Sequence, residues 1–206
     1  DVGFINQYFL FLAAQGDGFY YSEPGDVNTG DTTNFISAEA DANQYKRLLV
    51  LNQRIWLFGS RVTQVFVDNS ATDPDNPFVA DFSGVIQQGI LASFSATLFD
   101  NSIGWLARNQ SGAGIAYRNS AYGVVRISNF GVEAQWNTYR KIDDAWGYTV
   151  TFKGHIMWRL WFPDANVTWQ YDASLPFPLN WTKVAWLNPT TGLLEADRGS
   201  VATSIQ

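Results

Sequence analysis

Side chains able to carry out chemistry are few in this chain, and the single histidine is the first to consider. A Ser-His-Asp site would require His155 as its base, and a metal site with several histidine ligands cannot form within this chain. His155 directly follows the Lys153-Gly154 turn, a place that Arg54 and Ser102 hold after two similar turns. We therefore predict a polar residue that flanks a turn and has no catalytic role.

Carboxylates are the second source of chemistry. Asp68, Asp73 and Asp75 share one loop, but their spacing lacks the glycine and the bidentate glutamate of an EF-hand calcium loop. Paired carboxylates of the kind that glycosidases use occur at Asp143-Asp144 and at Glu195 with Asp197. The repeated Asp-containing boxes of sialidase propellers are absent. We predict a solvated acidic loop and no catalytic, cofactor-binding or metal-binding residues.

Composition restricts the other classes of function. The 206 residues carry 13 basic and 19 acidic side chains, a formal net charge of -6, so we expect no sequence-specific binding of nucleic acid. The glycine-rich segment 110–114 lacks the Lys-Ser or Lys-Thr pair of a phosphate-binding loop. No apolar run is long enough to cross a bilayer and no basic-then-apolar leader opens the sequence, so no membrane contact is expected.

The elements that would position these side chains are predicted to be strands. Hydrophobic residues make up 46% of the chain and aromatic residues 16%, while 17 glycines and 7 prolines supply turns. An apolar residue, a two-residue polar turn and a new apolar strand recur at intervals of about 50 residues, which is typical of stacked structural repeats. The turns are Asn6-Gln7, Asn52-Gln53, Asp100-Asn101 and Lys153-Gly154, in repeats that begin near residues 5, 51, 99 and 152.

Each polar turn joins a first strand to a second, in which the side chains alternate in size. A second turn, a third strand and a less regular fourth strand follow. Residues two apart on a strand share a face, so the same position after each turn is predicted to lie in equivalent core surroundings. These structural core positions are Phe11, Leu57, Trp105 and Trp158. Four antiparallel strands in each repeat predict the blade of a β-propeller.

The predicted fold class is therefore all-β, a propeller-like array of about four four-stranded antiparallel blades that could belong to a larger propeller. We expect residues 1–206 to form one such domain as a portion of a longer protein. One helix is predicted over 129–139, with Ser128 as its cap and with Phe130, Val132 and Trp136 on one face. An antiparallel sandwich, in which hairpins also recur, is the alternative fold.

Several short segments carry a resemblance to a known family, and their order is more informative than any one of them. They are 51–59, 88–90, 100–103, 154–156 and 163–172, with Trp181 beyond the last. In this order they resemble the packaged-DNA stabilisation protein of short-tailed bacteriophages, over about residues 45 to 187.

The resemblance implies a virion structural protein of the tail hub that is not an enzyme. Such a protein docks beneath the portal and adaptor proteins, receives the tail needle or spikes, and helps to retain the packaged DNA. The resemblance further implies a homo-oligomeric ring in the full-length protein, at most passive contact with DNA, and a place in the virion tail after assembly in the host bacterial cytoplasm. A net negative charge would let the genome slide out without adhering.

The alternative function is a carbohydrate-binding or glycoside-hydrolysing β-propeller. Nine tryptophans and nine tyrosines could stack on sugars or on unpaired bases, and the paired carboxylates would suit hydrolysis. Trp105 and Trp158, however, occupy predicted core positions and are assigned to packing. A generic scaffold domain is the third interpretation.

Overall fold

The computed structural model describes residues 1–12, 16–26, 33–38, 40, 45–108, 112–120 and 123–199, without the side chains of 82–84. This part of the chain consists mainly of strands, with one α-helix and one short 3-10 helix at Ser93–Ser95. In chain order the strands are β1 (Val2–Ile5), β2 (Tyr8–Leu12), β3 (Gly18–Tyr21), β4 (Phe35–Ser37), β5 (Arg47–Leu51), β6 (Arg54–Phe58), β7 (Thr63–Asp68), β8 (Phe78–Ile86), β9 (Thr97–Phe99), β10 (Ser102–Arg108), β11 (Gly114–Ser120), β12 (Gly123–Arg126), β13 (Trp146–Phe152), β14 (His155–Phe162), β15 (Val167–Asp172), β16 (Trp181–Leu187) and β17 (Leu194–Ala196).

These strands form four sheets in which each strand pairs with the next one along the chain. The first three sheets are β1 to β4, β5 to β8 and β9 to β12, and the fourth contains β13 to β17. Neighbouring strands run antiparallel, as β1 does with β2, β5 with β6 and β14 with β15, which is the meander of a propeller blade. The predicted all-β class with about four four-stranded repeats is confirmed, and β17 adds a fifth strand that the sequence did not indicate.

The turns between the first two strands of the four sheets share one backbone conformation. Both central residues of each turn have positive φ, from 44° at Asn6 to 85° at Gly154. This is the type I′ turn, whose twist matches that of the flanking strands. Only Gly154 is a glycine, so the other turn residues hold L side chains in a conformation that such residues usually avoid. The recurring sequence motif is thus a recurring backbone geometry.

The chain divides into two compact units, one containing residues 1–91 and 122–124 and the other containing 92–121 and 125–206. In the first unit, β1 contacts β5, so the first strands of the two sheets are neighbours. The core between these sheets takes Leu10 and Phe19 from one sheet and Ile55, Leu57 and Phe66 from the other. The rings of Phe19 and Phe66 meet edge to face, with centroids 5.3 Å apart.

In the second unit, the third and fourth sheets pack through a large side chain set against a very small one. Trp158 is fully buried, and its ring stacks on that of Phe99 with centroids 5.8 Å apart. A Cβ atom placed on Gly104 would lie 2.6 Å from the Phe99 ring and 3.0 Å from that of Trp158. The absence of a side chain at Gly104 therefore makes room for the indole of Trp158.

Helix α1 (Phe130–Trp136) lies inside the predicted range, but its cap and its faces differ from the prediction. Asn129 caps it by accepting a hydrogen bond from the Val132 N–H. Ser128 belongs to the preceding segment, where its hydroxyl accepts from the Ala116 N–H and donates to Glu133. The assignment of Ser128 as the cap was therefore wrong. Val132 and Trp136 are buried, whereas Phe130 points to solvent with 84% of its surface exposed.

We expect Gln53→Gly to raise the free energy of unfolding by up to about 1 kcal/mol, because glycine adopts positive φ without a steric cost. Gln53 has a φ of 58° in its turn. Urea unfolding followed by tryptophan fluorescence measures the change. Gln53→Ala is the matched control, since it removes the amide but keeps a Cβ, and it should change the free energy by less than about 0.5 kcal/mol. Equal stabilisation by both variants would contradict the backbone explanation.

Candidate functional site

His155 is the first residue of β14, and its side chain is 46% exposed beside the end of β15. Its Nδ1 lies 2.9 Å from Oδ2 of Asp172 and 2.8 Å from Oγ of Ser174. The Ser174 hydroxyl also donates to Oδ1 of Asp172 at 2.7 Å. The turn-flanking position that the sequence predicts is therefore part of a polar cluster of three side chains.

The residue types of this cluster are those of a catalytic triad, but the arrangement is different. In a triad, the histidine accepts the nucleophile's proton at one ring nitrogen and donates to the carboxylate from the other. Here Asp172 and Ser174 both meet Nδ1, and the serine hydroxyl bonds to the carboxylate directly. The cluster is arranged to fasten the loop after β15 to the start of β14, and its geometry does not activate Ser174 as a nucleophile.

The electrostatics of the cluster favour an ionised Asp172. Burial by itself would raise the pKa of this carboxyl, but hydrogen bonds from the Ser174 side chain and backbone and from His155 outweigh burial and lower the pKa. Asp172 is buried, so its charge depends on these donors in place of water.

The acidic loop after β7 uses its carboxylates to form turns. Asp68 accepts a hydrogen bond from the Ser70 N–H, and Asp73 accepts from the N–H groups of Asp75 and Asn76. Within the described ranges, no group of three or more His, Asp or Glu side chains is close enough to hold a metal ion. The carboxylates of this loop therefore serve local structure, as Asx turns do.

The two side chains of the second predicted carboxylate pair, Glu195 and Asp197, bind different partners. Glu195 accepts from the Asn188 amide at 2.7 Å, while Asp197 forms an ion pair with Arg159 of β14. The backbone carbonyl of Asp197 also accepts from the Tyr148 hydroxyl at 2.8 Å. Burial raises the pKa of Tyr148 to about 12, and the Asp197 carboxylate acts in the same direction. The segment after β17 is thus bound to one face of the fourth sheet.

The first carboxylate pair, Asp143-Asp144, lines a shallow cleft of about 420 Å³ in the second unit. Phe94 and Trp146 lie in the same cleft, and their rings stack with centroids 4.5 Å apart and planes 12° apart. These rings are 50% and 46% exposed. Asp144 accepts from the Asp164 N–H through Oδ2, while its buried Oδ1 has no hydrogen-bond partner among the described residues.

The four predicted core positions lie in two kinds of surroundings. Leu57, Trp105 and Trp158 are fully buried. Phe11 is half-buried, because Leu10 and not Phe11 points into the core of the first unit. The strand registers place Phe11 on the other side of the first sheet, a surface that we call the aromatic face. It consists of Val2, Phe4, Phe9, Phe11, Tyr20 and Phe35.

Repeated antiparallel meanders, each with the same type I′ turn between its first two strands, define an all-β protein built from propeller blades. Residues 1–196 match the family described as "Bacteriophage P22 Gp10, beta-propeller". The chain belongs to this family of bacteriophage structural proteins, so the resemblance seen in the sequence is confirmed and the protein is assigned to the virion.

No curated protein matches the chain. Among solved structures, the chain is similar to the "Crystal Structure of the N-terminal Domain of Nup159", at 10% sequence identity and a TM-score of 0.45. That match covers 93% of this chain and 55% of the other, so the chain spans about half the length of that structure. No helix of the described residues has the length and apolar character needed to cross a membrane.

Asp172→Asn should lower the free energy of unfolding at pH 7 by about 1 to 3 kcal/mol, because it removes an ionised acceptor from the polar cluster. The folded-state pKa of Asp172 lies below its unfolded value, so its contribution is present above the unfolded pKa and is lost as the pH falls through the folded one. Urea unfolding at a series of pH values should therefore show a deficit that shrinks below about pH 4.

Asp143→Asn is the matched control, since Asp143 is exposed and should change the free energy little at any pH. A deficit for Asp172→Asn that stays constant from pH 7 to pH 3 would show that its charge does not matter.

Proposed function

We propose that this protein is a structural subunit of the phage tail hub that docks beneath the portal and adaptor proteins and helps to retain the packaged DNA. The family match over residues 1–196 carries the proposal. Four similar sheets provide repeated surfaces, and the one histidine is engaged in fastening a loop. The protein would act through shape, interfaces and charge, without catalysis or a cofactor.

The charge distribution supports passive contact with DNA. The chain has a net charge of -6, and a protein needs free Lys or Arg side chains to neutralise phosphates. Six of the nine arginines form ion pairs with carboxylates of the same chain, which weakens their attraction for a polyanion. The arginines in such ion pairs are Arg47, Arg54, Arg118, Arg126, Arg140 and Arg159.

Exposed apolar side chains support docking to other virion proteins and assembly of the full-length protein into a homo-oligomeric ring. Assembly in the host cytoplasm is part of the same proposal. Leu187 and Leu194 face each other across β16 and β17 and are 61% and 73% exposed. Leu193 beside them is 65% exposed, and Phe177 in the preceding loop is 68% exposed. Exposed apolar groups in such number are typical of surfaces that bind another protein.

Deleting the gene from its phage should give heads that package DNA and then lose it, because the subunit that helps to close the portal vertex is missing. The measurement is the nuclease-resistant genome content of purified particles, together with electron microscopy of their tails. Supplying the intact gene from a plasmid should restore both.

Particles that keep their DNA and carry a complete tail without this protein would refute the tail-hub role. Tight binding of the purified chain to duplex DNA that weakens steeply with salt would refute the passive contact, because such a slope reports cation–phosphate pairs.

A second candidate function, carbohydrate binding, is favoured by the cleft beside Asp143. Sugars offer an apolar C–H face that stacks on an exposed ring such as Trp146, and hydroxyl groups that donate to carboxylates. The cleft combines both features within about 420 Å³, a volume in the usual range of small-molecule sites. Phage tails meet the bacterial surface, so a saccharide ligand would be compatible with a virion protein.

If the cleft binds a saccharide, a glycan array probed with the labelled chain should show selective binding, and Trp146→Ala should weaken it by about tenfold because the stacking platform is lost. Trp186→Ala is the matched control, since Trp186 is also 46% exposed but lies on β16, away from the residues that line the cleft. No binding above background, or an equal loss with both variants, would exclude this function.

A further inference from the structure

We propose that the first unit carries a binding site for a neutral saccharide, in a cleft at the type I′ turns of its two sheets. The cleft has a volume of about 710 Å³ and is lined by four residues with carboxamide side chains, so we call it the amide cleft. They are Asn6 and Gln7 of the first turn, and Asn52 and Gln53 of the second. This site differs from the cleft beside Asp143, and the proposal is independent of the tail-hub role.

The residue type at the second position of each turn is the first sign of a binding role. Gln7 has a φ of 75° and Gln53 a φ of 58°. Glycine adopts such values without a steric cost and asparagine tolerates them, but glutamine has neither advantage. In the other two type I′ turns this position holds Asn101 and Gly154, which are residues of the tolerant types. Among these four turns, glutamine therefore occurs only in the two that line the amide cleft, and strain of this kind is typical of functional sites.

The amide group of Asn6 is oriented by a carboxylate. Its Nδ2 donates to Oδ2 of Asp68 at 2.5 Å. Burial by itself would raise the pKa of Asp68, but hydrogen bonds from Ser70 and Asn6 outweigh burial and lower the pKa. An ionised carboxylate can only accept hydrogen bonds, so the NH₂ group of Asn6 must face Asp68. Asn6 thus presents its Oδ1 as an acceptor.

The other three carboxamides are open to a ligand. Gln7, Asn52 and Gln53 are exposed, and within the described part of the chain no hydrogen bond engages their side-chain amides. Each of these groups can donate from its NH₂ group and accept at its oxygen. A ligand that displaces water from them must therefore replace bonds of both kinds at several points within a small volume. The amide cleft favours a ligand on which donors and acceptors lie close together.

A saccharide has this character, because each of its hydroxyl groups both donates and accepts. The remaining lining residues, Phe4, Ile5 and Val50, are apolar and suit the C–H groups of a sugar ring. None of the described residues that line the cleft is charged, so the cleft offers no ion pair to a phosphate, a carboxylate or an ammonium group. An extended peptide binds chiefly through main-chain hydrogen bonds to a strand edge, whereas the polar groups here are side chains at turns. The ligand class is therefore a neutral saccharide.

A glycan array probed with the labelled 206-residue chain identifies the saccharide, and isothermal titration with that saccharide measures the affinity of each variant. Gln53→Gly should weaken binding by about tenfold, because it removes a donor and an acceptor from the amide cleft. The same variant should be at least as stable as the parent chain, since glycine adopts the positive φ of this turn without strain. Weaker binding could then not be attributed to unfolding.

Asn101→Gly is the matched control, because it makes the same replacement at the same turn position of the third sheet, outside the residues that line the amide cleft. Its affinity for the saccharide should equal that of the parent chain. In a titration of the isotope-labelled chain followed by NMR, the saccharide should shift the side-chain amide signals of Gln7 and Gln53 and not that of Asn101.

No glycan binding above background, or equal weakening by Gln53→Gly and Asn101→Gly, would overturn the proposal. Weakening by Trp146→Ala and not by Gln53→Gly would also overturn it, because the saccharide would then lie in the cleft beside Asp143. Binding confined to a parallel array of peptides would overturn it in favour of a polypeptide ligand. None of these outcomes bears on the tail-hub role, which the particle assays test.

Discussion

Face-to-face packing of sheets is the interaction on which the rest of this structure depends. A four-stranded meander with two apolar sides is not stable by itself in water, so each sheet needs a neighbour to cover it. The first unit meets this need with Leu10 and Phe19 against Ile55 and Leu57, and the second with Trp158 against Phe99. The polar cluster around His155 and the turn-forming carboxylates after β7 lie at strand ends and loops that this packing leaves open.

The type I′ turn determines which side chains take part in that packing. Shifting a strand by one residue would move every core side chain to the opposite face, so the turn must fix the register. At Asn52-Gln53 the turn does so with two L residues at positive φ, and the resulting pairs, such as Leu48 with Leu57, bring buried side chains together. The backbone conformation of a two-residue turn thus determines which side chains are buried in the core.

The sequence predicts the repeats and the fold class because both depend on short-range patterns, namely the two-residue polar turns and the apolar strands beside them. It does not predict the cluster around His155, because Asp172 comes within reach only through the pairing of β14 with β15. The sequence did offer one signal. If β14 and β15 are paired outward from the turn at 163–166, Asp172 falls opposite Met157, two residues from His155. The repeat pattern also does not predict that Phe11 is partly exposed. It shows which side chains lie on equivalent faces of the sheets, but not whether another sheet covers each of those faces.

The pairing of Trp158 with Gly104 has a consequence for folding fidelity. Repeats with one backbone geometry could dock in the wrong order, and such misassembly is a known failure of repetitive chains. At the position of Gly104 the first sheet carries Leu10, whose side chain would fill the space that the indole needs. Trp158 therefore fits against the sheet that carries Gly104 and not against a similar sheet with a larger side chain at that position. The order in which the blades pack thus depends on the volumes of a few side chains as well as on the order of the blades along the chain.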